Sequence, residues 1–283
     1  MSGHEQEIQP MPMFGFLRRV VHSVAGEANY ARLRRRLRRS HLAAWPIRKD
    51  LRALARFYGS DKWGAHRYAA HYQQHFGPLR RDKLTILEIG VGGYRVPYAG
   101  GESLRMWKRF FPRARVYAID IFDKSPLNED RIRIFQGSQD DPVFLRSVVD
   151  AAGPFDIIVD DGSHVNAHVL ASFEFLFPHL RSGGWYVIED LQTSYWPDFG
   201  GSEDPLAADT GIALCKRIAD GLNWEEFRSR PPGRFDAEIT AIHLYHNLAL
   251  IKKGDNREAS LTAPSRPPCA ERGPAPGNDG ATH

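Results

Sequence analysis

Two apolar runs, each breaking off into an acidic cluster, most constrain what this chain can fold into. Phe155-Asp156-Ile157-Ile158-Val159 leads into Asp160-Asp161-Gly162-Ser163-His164, and Trp185-Tyr186-Val187-Ile188 leads into Glu189-Asp190. Such runs read as strands covered on both faces, the habit of parallel sheets. In open α/β sheets ligands bind beyond the carboxyl ends of the strands, so carboxylates at two neighbouring ends converge on one crevice. An all-oxygen cluster suits a hard cation. Asp161, Glu189 and Asp190 are the expected metal ligands, and His164 is the expected base beside them.

The rest of the chain extends this pattern. Strands are predicted at 84–90, 115–121, 132–136, 155–160 and 185–189, separated by helices at 102–111, 141–152 and 169–180. A loop at 192–205 and a helix at 211–227 lead to strands at 239–245 and 248–252, with His246-Asn247 as their tight turn. The fold class is therefore α/β and Rossmann-like: a seven-stranded, mostly parallel sheet with an antiparallel C-terminal hairpin, preceded by N-terminal helices. The domain reading is a basic helical extension at 1–56, a catalytic body at 57–254 and a disordered tail at 255–283.

Charge separates these regions. The formal net charge is +4, but the first fifty residues carry 10 Lys and Arg against 4 Asp and Glu, leaving 28 basic and 30 acidic residues in the remainder. A slightly acidic body argues against nucleic acid as partner. The arginine-dense stretch Arg32–Arg39 reads as a solvated or subunit-contacting helix, with an anionic surface as the alternative. A homo-oligomer, such as a dimer, is expected. Cys215 and Cys269 have neither metal-ligand nor disulfide spacing, which fits a reducing cytoplasm. The segment 14–24 is interrupted by Arg18, Arg19 and His22, so no integral membrane association is expected.

Nucleotide-binding signals sit at the ends of the earlier strands. Glu88-Ile89-Gly90-Val91-Gly92-Gly93 offers glycines for a sharp turn and close ligand approach, without the features of a Walker A loop or the full dinucleotide spacing. Asp120, ending the second strand, can accept from both hydroxyls of a ribose. Gln139-Asp140 is placed either to meet an adenine or to cap the following helix. Asp160 could hold a cationic amino group, and S-adenosylmethionine is a nucleoside that carries one.

With these residues assembled, the chain resembles the class I S-adenosylmethionine-dependent methyltransferases. More closely it resembles the metal-dependent sugar O-methyltransferases of the mycinamicin and macrocin type, and mycobacterial enzymes that methylate mannose in polymethylated polysaccharides. The blocks that carry the resemblance are Tyr58-Gly59-Ser60-Asp61-Lys62, His71-Tyr72, the glycine loop, Gly101-Glu102-Ser103-Leu104, Asp120-Ile121 with Asp123-Lys124-Ser125, Gly137 to Asp140, Asp160 to His164, and Glu189-Asp190. It covers roughly residues 57 to 254, and the macrolide enzymes carry a longer N-terminal region. The resemblance implies a magnesium ion on Asp161, Glu189 and Asp190, with His164 as general base. It also implies S-adenosylmethionine lined by Glu88, Gly90, Ser103, Asp120, Gln139 and Asp160, and Tyr72 either closing over the methionine end or packing in the core.

The expected acceptor is a sugar or oligosaccharide, in particular a mannoside. A sugar hydroxyl is a weak nucleophile until a metal lowers its pKa and a base removes its proton. Tyr195 and Trp196 are placed to stack on the sugar's apolar face, whereas His168 and His179 read as structural. The alternatives are a macrolide deoxysugar, a catechol-type diol with the same metal logic, and a nucleoside-binding regulator with no need of the acidic cluster.

Overall fold

The computed structural model describes residues 43–258. The arginine stretch at 32–39 and Cys269 lie outside them, as do most of the basic extension and the tail. The chain groups into two compact units that divide between Phe144 and Leu145.

The first unit opens with helix α1, Leu51–Tyr58. Asp50 caps it by accepting from the N–H groups of Arg52 and Ala53, and Gly59 ends it in the left-handed conformation. Helix α2, Tyr68–Phe76, follows. Strand β1, Thr85–Ile89, helix α3, Glu102–Phe110, strand β2, Arg115–Asp120, and strand β3, Ile132–Gln136, then alternate. The three strands are parallel, in the order β3-β2-β1. Their aliphatic residues, among them Ile86, Leu87, Val116, Ile119, Ile132 and Ile134, are buried, and an aromatic cluster of Tyr72, Phe76, Trp107, Phe110 and Phe111 fills the space beside α2 and α3. Helix α4, Pro142–Ala152, spans the division, and Asp141 caps it through the N–H groups of Val143 and Phe144.

The second unit contains strand β4, Phe155–Asp160, helix α5, Asn166–Leu176, strand β5, Leu180–Ile188, helix α6, Gly211–Gly221, and strands β6, Ile239–Tyr245, and β7, Leu248–Lys253. The order is β4-β5-β7-β6. β4 and β5 are parallel, while β7 runs antiparallel to both β5 and β6. Asn247 takes a positive φ in the expected tight turn. Phe173, Phe177, Tyr186 and Phe235 form the aromatic part of this unit's core. All seven expected strands are present, with the parallel and antiparallel senses read from the sequence, and the architecture is Rossmann-like.

Several boundaries differ from the expectation. β5 begins at Leu180 rather than Trp185, because Gly183-Gly184 sits inside a strand irregularity near Phe155 instead of forming a turn. α5 starts at Asn166 and gives way at Phe177 to a short 3₁₀ turn, since Pro178 cannot continue it. α6 stops at Gly221. No helix among the described residues is long and apolar enough to cross a membrane.

Candidate active site

In the first unit, the expected nucleoside contacts Gly90 and Asp120 lie at the carboxyl ends of β1 and β2. Asp120 accepts the Val91 N–H through one carboxylate oxygen at 3.0 Å and the Phe122 N–H through the other at 2.9 Å. This pins the carboxylate between the two strand ends, and each oxygen keeps a lone pair for a ribose hydroxyl. Gly90 has a φ of 92° and donates its N–H to Ile119 O. The loop that follows closes on itself, the Gly101 N–H reaching Val91 O at 2.7 Å. A side chain at Gly93 or Gly100 would overlap the backbone of the facing strand of the loop. Lys124 is fully buried beneath it and donates to Val96 O and Ala99 O at 2.8 and 3.1 Å. Ser103 lies in the first turn of α3, half-buried, and Gln139 is buried after β3.

Two of the expected cofactor residues are turned into the fold. Glu88 is 0% exposed: one oxygen accepts from Trp107 Nε1 at 2.8 Å, and the other lies 3.3 Å from Lys62 Nζ, itself fully buried. Tyr72 is also fully buried, stacked on Phe76 and edge-on to Trp107. Of the two readings of Tyr72, its position is that of the packed core tyrosine.

The second unit builds an acidic centre at the ends of β4 and β5. One ligand atom from each of Asp161, His164 and Asp190 lies within 4.8 Å of the others. His164 Nε2 stands 3.5 Å from Asp190 Oδ2. Both residues have left-handed backbones, φ 58° and 54°, which turn their side chains away from the direction an extended strand would give them. Two carboxylates and an imidazole fit a hard divalent cation on the oxygens with the nitrogen left for proton transfer. Glu189, the third expected ligand, is buried at the same strand end, donates its N–H to Asp160 O at 3.0 Å, and falls outside that three-residue group.

Asp160 sits one layer deeper. Its carboxylate accepts the Ser172 hydroxyl at 2.6 Å, and the phenol of the wholly buried Tyr186 is pushed well above its ordinary range, by burial first and by the Asp160 charge second. His168, expected to be structural, lies 2.9 Å through Nδ1 from the Ser163 hydroxyl.

The loop after β5 is wound into two short 3₁₀ turns, Leu191–Tyr195 and Pro197–Phe199. Its start is held by the Leu191 N–H donating to Asn247 O at 3.1 Å in the β6–β7 turn. Tyr195 and Trp196 belong to it and are 44% and 48% exposed, Trp196 with its ring 5.9 Å from that of Phe199. Lys62, Lys124, Ser172, Tyr186 and Asn166 were not singled out as functional by the sequence. Lys62 and Lys124 do stand inside two of the blocks that carry the family resemblance, Tyr58–Lys62 and Asp123–Ser125.

Residues 32–191 match a family model described as a methyltransferase domain. Mycinamicin VI 2''-O-methyltransferase of Micromonospora griseorubida is 49% identical over 217 residues, covering 75% of this chain and 54% of its own. The 8-demethyl-8-alpha-L-rhamnosyl tetracenomycin-C 2'-O-methyltransferase of Streptomyces olivaceus is 50% identical over 209 residues, covering 73% and 55%. A solved structure of the MycE methyltransferase in complex with Mg, SAH and mycinamycin VI aligns with a TM-score of 0.73 at 48% identity, covering 76% of this chain and 57% of that one. The chain thus spans a little over half the length of these relatives, and the sugar O-methyltransferase resemblance carried by its sequence blocks is matched by their names.

Proposed function

Because the chain belongs to the methyltransferase domain family, we propose that it transfers a methyl group from S-adenosylmethionine to a sugar hydroxyl of a glycoside, with Mg²⁺ at its acidic centre. The observation that carries this reading is the convergence of Asp161, His164 and Asp190 at two adjacent strand ends. Relatives named for methylation of a mycinamicin and of a rhamnosyl tetracenomycin support a sugar on a natural-product scaffold as acceptor. A mannoside is the finer acceptor class that the sequence blocks suggest.

Asp161 and Asp190 would hold the ion, with Glu189 at the same strand end as the third carboxylate. A magnesium ion held by these residues would supply Lewis-acid chemistry, lowering the pKa of a sugar hydroxyl and orienting it. His164 Nε2 accepts the hydroxyl proton, a contribution of about 10² to 10⁴ in rate. Asp120 positions the ribose of the cofactor, and the glycine loop admits the cofactor close to the backbone. Asp160, whose carboxylate accepts the Ser172 hydroxyl, is the negative charge that would hold the cationic amino group. Tyr195 and Trp196 stack on the apolar face of the sugar and exclude water from it.

Labelled S-adenosylmethionine, offered with rhamnosyl and deoxysugar polyketide glycosides, mannosides and a catechol, tests this reading. Transfer to a glycoside that is abolished by EDTA, restored by Mg²⁺ and lost in His164→Ala is the expected result. Transfer indifferent to EDTA would remove the metal from the mechanism, and preference for the catechol would replace the sugar.

A further inference from the structure

The side chain of Asn166 has no part in the chemistry described above, yet it is among the most completely bonded polar groups of the second unit. It is 2% exposed. Its amide nitrogen donates to Thr193 O and to Phe199 O, each at 3.0 Å, and its amide oxygen accepts the Gly211 N–H at 2.8 Å. The two carbonyls that it grips bracket the segment from which Tyr195 and Trp196 project. The N–H that it receives is the first of α6, and a second tie joins the same two elements, the Ile212 N–H donating to Ser194 Oγ at 3.0 Å. Asn166 itself opens α5, two residues after His164.

One amide therefore joins three segments: the one carrying the base, the one carrying the exposed aromatics, and the start of α6. A buried amide needs donors and acceptor all matched, and here two donors and one acceptor meet two carbonyls and one N–H. The aromatic pair is presented on a fixed frame, the condition under which stacking side chains bind with little loss of conformational freedom.

We propose that Asn166 is a positioning residue for the sugar acceptor, setting the placement of the Tyr195–Trp196 shelf against His164. The inference rests on the methyl-transfer reading given above and extends it to how the acceptor is held. Acceptor recognition is then a property of the joint between the two strand ends, as well as of the side chains that touch the sugar.

Asn166→Asp is the discriminating variant. It keeps shape and volume and the acceptor for the Gly211 N–H, but sets an oxygen against the Thr193 and Phe199 carbonyls. Hydrogen exchange of residues 191–201 and separate kinetics for the two substrates are measured in the full chain. The expected result is faster exchange in that segment with an acceptor KM raised about three- to tenfold, the range a lost aromatic contact would give, and a cofactor Kd by calorimetry within about twofold of wild type. The same substitution placed on Trp196→Ala is expected to add little, because neighbours acting through one contact are not additive.

Unchanged exchange, or an equal rise in acceptor KM and cofactor Kd, would overturn the proposal while leaving the reaction intact. A full additive effect on the Trp196→Ala background would also overturn it. A wild type without transfer to any glycoside refutes the reaction and the acceptor role together. Should Asn166→Asp not fold, Asn166→Ser, smaller and unable to span both carbonyls, carries the same readouts.

Discussion

His164 and Asp190 face each other at 3.5 Å across two strand ends, and each reaches the other from a left-handed backbone. For residues other than glycine such a conformation costs roughly 1–2 kcal/mol, and strain of this kind collects where a site demands a particular side-chain direction. At the Asp190 end the Thr193 N–H and the Thr193 hydroxyl both donate to its carbonyl, which locks the turn.

Replacement of His164 by Gly separates strain from chemistry. Glycine adopts the left-handed region freely, so the melting temperature of His164→Gly is expected to equal or exceed that of wild type. Its kcat is expected to fall by about 10² to 10⁴ through loss of the proposed base. Thermal unfolding and single-turnover methyl transfer on the same preparation check both halves.

Asp120→Asn tests the nucleoside edge. One oxygen of the carboxylate becomes an NH₂ that cannot accept from the Val91 or Phe122 N–H, and hydrogen bonds to a charged group are worth about 1.5–3 kcal/mol. The Kd for S-adenosylmethionine is expected to rise by about tenfold or more with the acceptor KM unchanged, as read by calorimetry and steady-state kinetics.

Lys62→Met tests the buried ion pair made with Glu88 of β1. The Glu88 carboxylate would keep its Trp107 hydrogen bond and lose the Lys62 ammonium, and removal of one partner of a buried pair typically costs about 3–5 kcal/mol. Urea denaturation should show that loss, and Lys62→Met with Glu88→Gln should recover part of it. Equal stability of the single and double variants would argue that the pair is not coupled.

Cys215 is buried, and burial pushes its thiol up to about 12. A raised thiol pKa leaves the group protonated at neutral pH, with thiolate forming only as the solution approaches that value. In a Cys269→Ser protein a disulfide reagent at pH 7 is expected to titrate no thiol in the native state and one after denaturation. Reaction of the native protein would show that this part of α6 opens readily.

The strands were legible because their apolar, β-branched runs stop abruptly at Gly90, Asp120, Asp160 and Glu189. The same stops mark the Asp120 strand end in the first unit and the acidic cluster in the second. Burial and long-range pairing were harder to read. Glu88 and Tyr72 look like ligand contacts in the sequence, but Lys62 and Trp107 draw one into an ion pair and the aromatic cluster takes the other. Gly183-Gly184 carries the composition of a turn and lies within a strand, because its pairing partner near Phe155 is irregular. The partners of Asn166 stand 27, 33 and 45 residues away, beyond any local pattern.

The antiparallel hairpin adds an order of events to this geometry. β7 pairs with β5 on one side and β6 on the other, and its turn supplies the Asn247 carbonyl that fixes Leu191 beside Asp190. On a ribosome the edge of β5 that β7 covers therefore stays open until Lys253 has emerged. Until then the nascent chain displays an apolar strand edge ready to recruit any passing strand, and the acidic centre acquires the Leu191–Asn247 support only after the hairpin has closed on β5.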